Sequence, residues 1–347
     1  MDARAIAVEC RAVAERFARF ARDEAPGRSP LYAAWALLVA RDDEVQRVLA
    51  RIPAQRRQPP LVFAVTRLLG SGEPDAAGWR SWLLDHADEV VAECGRRSLQ
   101  TNEPLRCAAL LPALAQIAGP IALLEIGASA GLCLYPDRYS YRYRGARETI
   151  VLDPADGASE VVLDCVVRGD RMPEVSLPEV VWRAGVDLAP LDPAAPETAA
   201  WLAGLVWPGE EGRAERIRAA LRIAASDPPL LVAGDGAARL AEIADLAPRE
   251  ATLVVQTPGV LAHIPWAGRR ALIAEARRCG RWITLDAPSL HDGWAEEISG
   301  QWWRERWPEG FAVALEGDVL GAAGPLGGWW QSVDASEWHP NGRGAAG

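Results

Sequence analysis

A glycine-rich stretch within residues 121–134, IALLEIGASAGLCL, has a spacing that fits two kinds of chemistry. Gly127, Ser129 and Gly131 form the pattern G-x-S-x-G, which is typical of a nucleophile elbow, a strained strand-to-helix turn that exposes a serine for acyl transfer. With Glu125 the same residues form E-x-G-x-x-x-G, which is typical of a turn where a nucleoside cofactor approaches the backbone at a helix N-terminus. Ser129 is a catalyst in the first interpretation and part of a binding wall in the second.

The elements that would position this stretch change in character at residue 121. Before it, apolar residues recur every three or four positions between Pro and Gly breaks, which predicts only helices over residues 1–118. After it, short apolar runs end in Gly, Asp or Pro and alternate with helical stretches. The runs are IALLEIG, VVWRAGVDLAP, PLLVAGDG, ATLVVQTP and RWITLDAP, and the helical stretches are 196–206, 210–226, 237–247 and 266–279. This alternation predicts an α/β fold with a doubly wound, mostly parallel sheet.

We therefore predict three parts of the chain: a helical N-terminal cap at 1–118, an α/β domain at 119–335 and a disordered tail at 336–347. Within the α/β domain, residues 139–167 contain two β-rich runs around a Pro/Asp/Gly turn, which predicts an antiparallel β insertion. The helices of the cap must bury their apolar faces. We expect the cap to close a substrate pocket over the carboxyl edge of the sheet.

Composition excludes several classes of function. All 37 of the Lys and Arg residues are arginine, so Schiff-base chemistry, pyridoxal phosphate anchoring and a phosphate-loop lysine are excluded. A net charge of -10 disfavours a nucleic-acid partner. The six cysteines lack any C-x-x-C spacing, and this pattern indicates neither a metal site nor a disulfide framework. Because no apolar run reaches about 18 residues and the N-terminus does not resemble a signal peptide, we expect a cytoplasmic protein without a membrane partner. The oligomeric state stays open.

Residues at the ends of the predicted strands are the candidates for binding, because ligands of doubly wound sheets lie at the carboxyl ends of the strands. Asp187 ends the second parallel strand, where a carboxylate could accept both hydroxyls of a ribose. Asp235, next to Gly236, follows the third strand and could accept from an adenine amine. Gln256 ends the fourth strand. Asp187 could instead be a turn residue before Pro190, and Asp235 could instead cap the next helix.

This order of motifs, over roughly residues 121–290, resembles that of class I S-adenosylmethionine-dependent methyltransferases. In that family the turn after strand one wraps the methionine part, the acid ending strand two holds the ribose, and the acid after strand three holds adenine. The resemblance implies S-adenosylmethionine as cofactor, bound by Glu125, Gly127, Ser129, Gly131, Asp187, Asp235, Gly236 and Gln256. The whole chain, including QTNEPLR, DRYSYRY and WRAGVDLAPLD, also resembles an uncharacterised bacterial family with this type of core.

Two features depart from the methyltransferase pattern. The segment from Gly131 to Asp187 is much longer than a single crossover helix, and QTPG differs from the N/D-P-P-Y motif of methyltransferases that act on amino groups of bases and glutamine. The acceptor is therefore less defined than the cofactor. A small-molecule acceptor is the prediction, and a methyltransferase-shaped protein that binds a nucleoside or a partner without catalysis is the alternative.

Further residues could contact the acceptor. His263, just beyond the fourth strand, is a candidate general base, or else a residue of the pocket wall. The predicted pocket residues are Gln100, Asn102, Glu103, Arg106, Asp137 and Tyr139. The segment SLQTNEPLR could also simply cap the helix that follows it, since Pro104 suits a first turn. Tyr139 lies in an alternating run that is typical of strand packing.

The hydrolase interpretation lacks two supports. A nucleophile elbow follows a central strand, and earlier strands carry the loop that completes the oxyanion hole. No strand is predicted before residue 121, and no HGGG-type loop occurs. Ser129 could be combined with Asp286 and either His291 or His339, but any long chain offers such a set.

Overall fold

The computed structural model describes residues 3–291 and 300–333, and the chain divides into two compact units. The first unit contains the residues up to Thr101 together with Pro196–Arg218. The second contains Asn102–Ala195 and the residues from Ala219 onward. The division thus falls after Thr101 and not after residue 118, and 196–218 joins the helical part. The predicted tail at 336–347 and His339 lie outside the described residues.

Strands begin at residue 120, and helices alternate with strands between residues 179 and 286 as the sequence predicts, whereas residues 127–178 contain no α-helix. The α-helices of the described residues are α1 (Ala3–Asp23), α2 (Pro30–Val39), α3 (Asp43–Leu49), α4 (Pro59–Leu68), α5 (Ala76–Asp85), α6 (Ala87–Arg96), α7 (Arg106–Leu114), α8 (Pro196–Gly204), α9 (Arg213–Ser226), α10 (Gly236–Ala244), α11 (Trp266–Cys279) and α12 (Gly300–Arg306). The strands are β1 (Pro120–Ile126), β2 (Ser140–Arg144), β3 (Thr149–Leu152), β4 (Val162–Val167), β5 (Glu179–Asp187), β6 (Leu230–Ala233), β7 (Thr252–Pro258), β8 (Arg281–Asp286), β9 (Phe311–Leu315), β10 (Asp318–Ala323) and β11 (Trp329–Ser332). Short 3-10 helices lie at Ala54–Arg56, Leu132–Leu134, Leu261–His263 and Pro288–Leu290.

The first unit is helical throughout its described residues, and no strand precedes Pro120 in residues 3–119. Local capping explains where several helices begin: the side chain of Ser29 accepts from the Tyr32 N–H at α2, and Asp42 and Asp75 cap α3 and α5 in the same way. The core of the unit is aromatic, with Phe63 packed edge-on against Trp79. The prediction of helices only in this part is confirmed for the described residues.

Five parallel strands form one half of an 11-stranded sheet, in the order β6-β5-β1-β7-β8. Numbered as they follow each other in the chain, they read 3-2-1-4-5, and the order reverses between β1 and β7. Such a reversal creates a crevice at the carboxyl edge of a doubly wound sheet. Leu124 and Val255 pack towards α10 and α11, in a core with Leu240 and Leu272. The next residues along these strands, including Glu125, point to the opposite face.

The other half of the sheet differs from the prediction. After β8 the order continues β9-β10-β11-β4-β2-β3, and the strands β9 to β11 were not predicted. Residues 139–167 form three strands within this sheet: β2 and β3 make an antiparallel hairpin, whereas β2 and β4 pair in parallel. The prediction of an antiparallel insertion is therefore wrong for that second pair. Alternation of apolar residues specifies which face of a strand is buried, but it does not specify the partner strand.

None of the described helices has both the length and the apolar character needed to cross a membrane. The described residues also contain no group of three or more His, Cys, Asp or Glu side chains arranged to hold a metal ion.

Candidate functional site

The glycine-rich turn after β1 has an unusual backbone. Gly127, Ser129 and Gly131 have φ values of 79, 52 and 75°, so three alternate residues are left-handed. This conformation costs an ordinary residue about 1–2 kcal/mol, and Ser129 adopts it without being glycine. The turn leads into the 3-10 helix Leu132–Leu134, and residues 127–178, all of which the structure describes, contain no α-helix. The prediction that this turn lies at a helix N-terminus is therefore wrong.

The backbone N–H groups of the turn are used inside the protein. Gly127 N donates to Val186 O at 2.8 Å and Gly131 N donates to Ala128 O at 2.7 Å. Ser129 N donates to Asp187 Oδ2 at 2.8 Å. A phosphate-binding loop requires such groups to point at the ligand. This turn therefore lacks the open set of donors that holds a phosphate.

The turn is fixed by neighbours that are distant in sequence. The Asn102 side chain donates to Ala128 O at 2.8 Å and accepts from Leu132 N at 3.2 Å, so it spans the turn. A Cβ on Gly127 would lie 2.7 Å from Val260 Cγ2. Glycine is required at position 127 both by its φ and by the approach of the loop that follows β7.

Asp187 is half-buried at the end of β5, and its two oxygens accept from backbone N–H groups. Oδ2 accepts from Ser129 N and Oδ1 from Ala189 N, each at 2.8 Å. The alternative role as a turn residue is thus present in the structure. An ionised carboxylate has about four acceptor positions, so these two bonds leave capacity for the hydroxyls of a ligand.

Beneath the turn lies a buried polar pair on β1 and β7. Glu125 and Gln256 are register neighbours, with 2% and 0% of their surfaces exposed. Gln256 Nε2 donates to Cys133 O at 3.0 Å and lies 3.4 Å from Glu125 Oε2. Burial raises the pKa of Glu125 well above its usual range, while Gln256 and Arg106 act in the opposite direction. Gln256 Oε1 has no hydrogen-bond partner among the described residues.

Glu103 and Arg106 support the loops around the site. Glu103 is fully buried, and its Oε1 accepts from Leu105 N at 3.1 Å. Arg106 donates to Pro258 O and to Pro325 O, both at 3.0 Å. Their predicted role in a substrate pocket stays a prediction, since these bonds end on the backbone of the protein.

Asp137 and Tyr139 lie beyond the turn. Asp137 accepts from Arg183 Nη2 at 2.7 Å. Tyr139 is fully buried, and its hydroxyl donates to Leu132 O at 2.7 Å, just after the turn. As the packing alternative suggested, Tyr139 supports the turn in this structure and has no surface open to a substrate.

The remaining predicted residues lie in other surroundings. Asp235 is exposed and caps α10 by accepting from Ala238 N at 3.0 Å, as its structural alternative foresaw. Gly236 lies against the end of β1, where a Cβ would be 2.5 Å from Ile126 Cγ2. His263 is exposed at the end of a 3-10 helix. Gln100 belongs to the first unit, whereas the other site residues belong to the second.

From the sequence, Asp286 is a candidate only for the alternative catalytic triad with Ser129. It is fully buried at the end of β8, and burial raises its pKa to about 7. Its Oδ2 accepts from Leu261 N at 3.4 Å, and Oδ1 has no hydrogen-bond partner in the part of the chain that the structure describes. The signal that could have identified it is the one that identified Glu125: a carboxylate at the end of an apolar strand.

Two cavities lie away from these residues. One of about 330 Å³ is lined by Pro112, Asp318 and Trp330 in the second unit. The other, of about 470 Å³, is lined by Arg67, Trp207 and Glu210 in the first unit. Neither is lined by a predicted site residue. The candidate site lies at the strand ends, where Ser129 Oγ, Gln256 Oε1 and Asp286 Oδ1 are buried without a hydrogen-bond partner among the described residues.

Comparison with known proteins identifies a family. Searches of curated proteins and of solved structures found no match to this chain. A family model matches residues 14–331 of the chain. The chain therefore belongs to the family described as "Uncharacterized protein conserved in bacteria (DUF2332)".

Proposed function

We propose that this protein binds S-adenosylmethionine at the carboxyl edge of its parallel sheet and transfers the methyl group to a small-molecule acceptor. The site consists of the turn 127–131, Asp187, and the buried pair Glu125 and Gln256. The observation that carries the proposal is the reversal of strand order between β1 and β7, with this turn at the end of β1. Doubly wound sheets bind their ligands at such a point.

The hydrogen bonds of the turn favour a nucleoside ligand without phosphate at this position. Dinucleotide and nucleotide sites place phosphate oxygens on free backbone N–H groups at the start of an α-helix. In this protein Gly127, Ser129, Gly131 and Leu132 donate their N–H groups to other acceptors, and a short 3-10 helix follows. S-adenosylmethionine needs no phosphate-binding loop.

The polar groups fit the two polar ends of such a ligand. Asp187 retains acceptor capacity that suits ribose hydroxyls, and it is anchored to the turn by Ser129 N. Gln256 Oε1 is a buried acceptor without a donor in the part of the chain that the structure describes, and the Gln256 side chain lies beside Glu125. A buried acceptor of this kind is stabilised when a ligand supplies the missing N–H or O–H.

The cofactor would supply a methyl group on a positively charged sulfur. The protein's own task is to align the acceptor and keep water away, because proximity and orientation can supply most of the rate of such a transfer. His263 remains the candidate base that removes a proton from the acceptor. Asp286 is a second group able to hold a proton near neutral pH.

Isothermal titration calorimetry tests the binding step. We expect heat of binding with S-adenosylmethionine and with its demethylated product, and much weaker binding of ATP and NAD, because the N–H groups of Gly127, Ser129 and Gly131 already bond acceptors within the protein. No heat with either sulfur compound would refute the proposal. Release of labelled methyl groups to a panel of small metabolites then separates an enzyme from the non-catalytic alternative.

The acyl-transfer alternative is not favoured by the geometry. Ser129 has 3% of its surface exposed, and its Oγ forms no hydrogen bond with any described residue. A nucleophilic serine needs a base within hydrogen-bonding distance. The strand-to-helix elbow is also missing, since no α-helix follows β1 before β2.

A further inference from the structure

The segment Asn102–Arg106, NEPLR in the sequence, connects three loops at the carboxyl edge of the sheet. At one end Asn102 bonds both sides of the turn after β1, through Ala128 O and Leu132 N. At the other end, the first residue of α7, Arg106, donates to Pro258 O at the end of β7 and to Pro325 O between β10 and β11. The strand order reverses between β1 and β7, so the crevice lies between the loops that follow these two strands. The segment is hydrogen-bonded to both sides.

We propose that Asn102 and Arg106 are positioning residues that hold the two sides of this crevice at a fixed separation. The consequence for ligand affinity rests on the proposed function; the consequence for the loops does not.

The turn after β1 requires such support. It contains three left-handed residues, one of which is Ser129. An α-helix directly after the turn would stabilise its backbone, but here a 3-10 helix of three residues follows. Asn102 substitutes for part of that support: its amide oxygen takes the Leu132 N–H and its amide nitrogen satisfies Ala128 O. With 5% of its surface exposed, Asn102 is shielded from competing water.

Arg106, the second positioning residue, holds the loop after β7. Gly259 has a φ of 73°, and a Cβ at this position would lie 2.8 Å from Arg106 Nη2. The absence of a side chain therefore allows the guanidinium to approach the loop. The same loop carries Val260, which lies against Gly127 of the first turn. Movement of either side would thus disturb the other.

Hydrogen exchange and calorimetry on the full-length protein test this proposal. In Asn102→Ala we expect the protection of the Leu132 amide to fall by about tenfold more than that of β5 amides, the effect of one or two lost hydrogen bonds. Arg106→Ala should act in the same way on the Gly259 amide, which donates to Leu285 O. Both substitutions should weaken binding of S-adenosylhomocysteine by about tenfold.

Tyr143→Phe is the matched control. It removes the buried hydrogen bond from the Tyr143 hydroxyl to Ala108 O on α7, and this bond reaches neither the turn after β1 nor the loop after β7. We expect it to lower protection evenly and leave ligand affinity within about twofold. If Asn102→Ala or Arg106→Ala does not fold, Asn102→Asp and Arg106→Lys replace them, because each keeps one bonding group and loses the second.

If Asn102→Ala and Arg106→Ala lower amide protection uniformly across the sheet, as the control does, the proposal is overturned. Selective loss with unchanged affinity would also overturn it, because the loops would then not set the binding geometry. If the wild-type protein does not bind the ligand, the proposed function fails. In that case the selective loss of amide protection alone tests whether Asn102 and Arg106 are positioning residues.

Discussion

The turns after β1 and β6 both place glycines at the carboxyl edge of the parallel strands, but they are built differently. After β6, Asp235 caps α10 by accepting from the N–H three residues further on. After β1 no α-helix follows, and the turn is held by Asn102 and Asp187, which lie 26 and 58 residues away from the groups they bind. The first turn is thus fixed by the tertiary structure and the second by its own sequence. Substitutions should therefore have larger and more specific effects at the first.

The largest difference should appear on adding side chains to the two turns. Gly127→Val introduces a branched residue at a φ of 79° and against Val260 Cγ2. We expect a loss of about 2–4 kcal/mol in the free energy of unfolding and loss of ligand binding. Gly234→Ala is the counterpart after β6: its φ of 148° also strains a side chain, but the nearest atoms belong to the Arg239 side chain, so we expect the smaller loss. Urea unfolding of both variants measures the difference, and equal losses would contradict the comparison.

The next largest difference in stability and affinity should appear between variants of Asp187 and Asp235. Asp187→Ala removes the acceptor of two backbone N–H groups, so we expect a loss of about 2–3 kcal/mol in stability and weaker cofactor binding. Asp235→Ala removes one exposed helix cap, at a cost of about 1 kcal/mol. Thermal unfolding and calorimetry on both variants test this order. An Asp235 variant that loses affinity as strongly as the Asp187 variant would restore the predicted adenine contact.

The helices of the N-terminal part and the parallel half of the sheet were predictable, and the contacts that were not are non-local. Strands β1 and β5 to β8 follow from apolar runs that end in turn residues, and α11 was predicted with its bounds, 266–279. The cap role of Asp235 needed only the helix that follows it. By contrast, the bonds from Asn102 to the turn required knowing that α7 returns to the carboxyl edge. No local pattern contains that information.

The absence of an α-helix between β1 and β2 was also not predictable from the local sequence. Glycine-rich turns after a strand usually open a helix, so the pattern predicted one. Here residues 132–134 form a single 3-10 turn, and the chain continues to β2, with Tyr139 buried and bonded to Leu132 O. The alternating tyrosines indicated a strand, but not that this strand would take the place of the helix. Strands β9 to β11 were missed because the prediction rested on strands that alternate with helical stretches, and no helix separates these three strands.

Stability should depend on pH through Glu125, which lies beneath the turn after β1. Burial raises the pKa of Glu125 far above the usual value of 4.5, so the folded state keeps its proton where the unfolded state has lost it. The free energy of unfolding therefore decreases as pH rises above that value, up to the raised pKa of the folded protein. Glu125→Gln removes this contribution. We expect a smaller decrease above about pH 5 in urea unfolding. Identical slopes in the variant and the wild type would show that Glu125 is ionised in the folded protein.

Ser129 should give the smallest effect. Because Ser129 Oγ has no hydrogen-bond partner among the described residues, Ser129→Ala should hardly change stability. We expect cofactor affinity to fall by about 0.5–1.5 kcal/mol if the hydroxyl bonds the ligand. A fluorophosphonate probe should not label the wild-type protein, since it attacks only an activated serine. Stoichiometric labelling at Ser129 would revive the acyl-transfer interpretation.

The central claim is that the turn after β1 is a cofactor site fixed by distant residues. A crystal structure of the protein with S-adenosylhomocysteine tests it most directly. We predict the ribose hydroxyls on Asp187, the amino acid end of the ligand beside Glu125 and Gln256, and no change in the bonds from Asn102 to the turn. A ligand seated elsewhere, such as the cavity lined by Trp207 and Glu210, with the turn unoccupied, would contradict the claim.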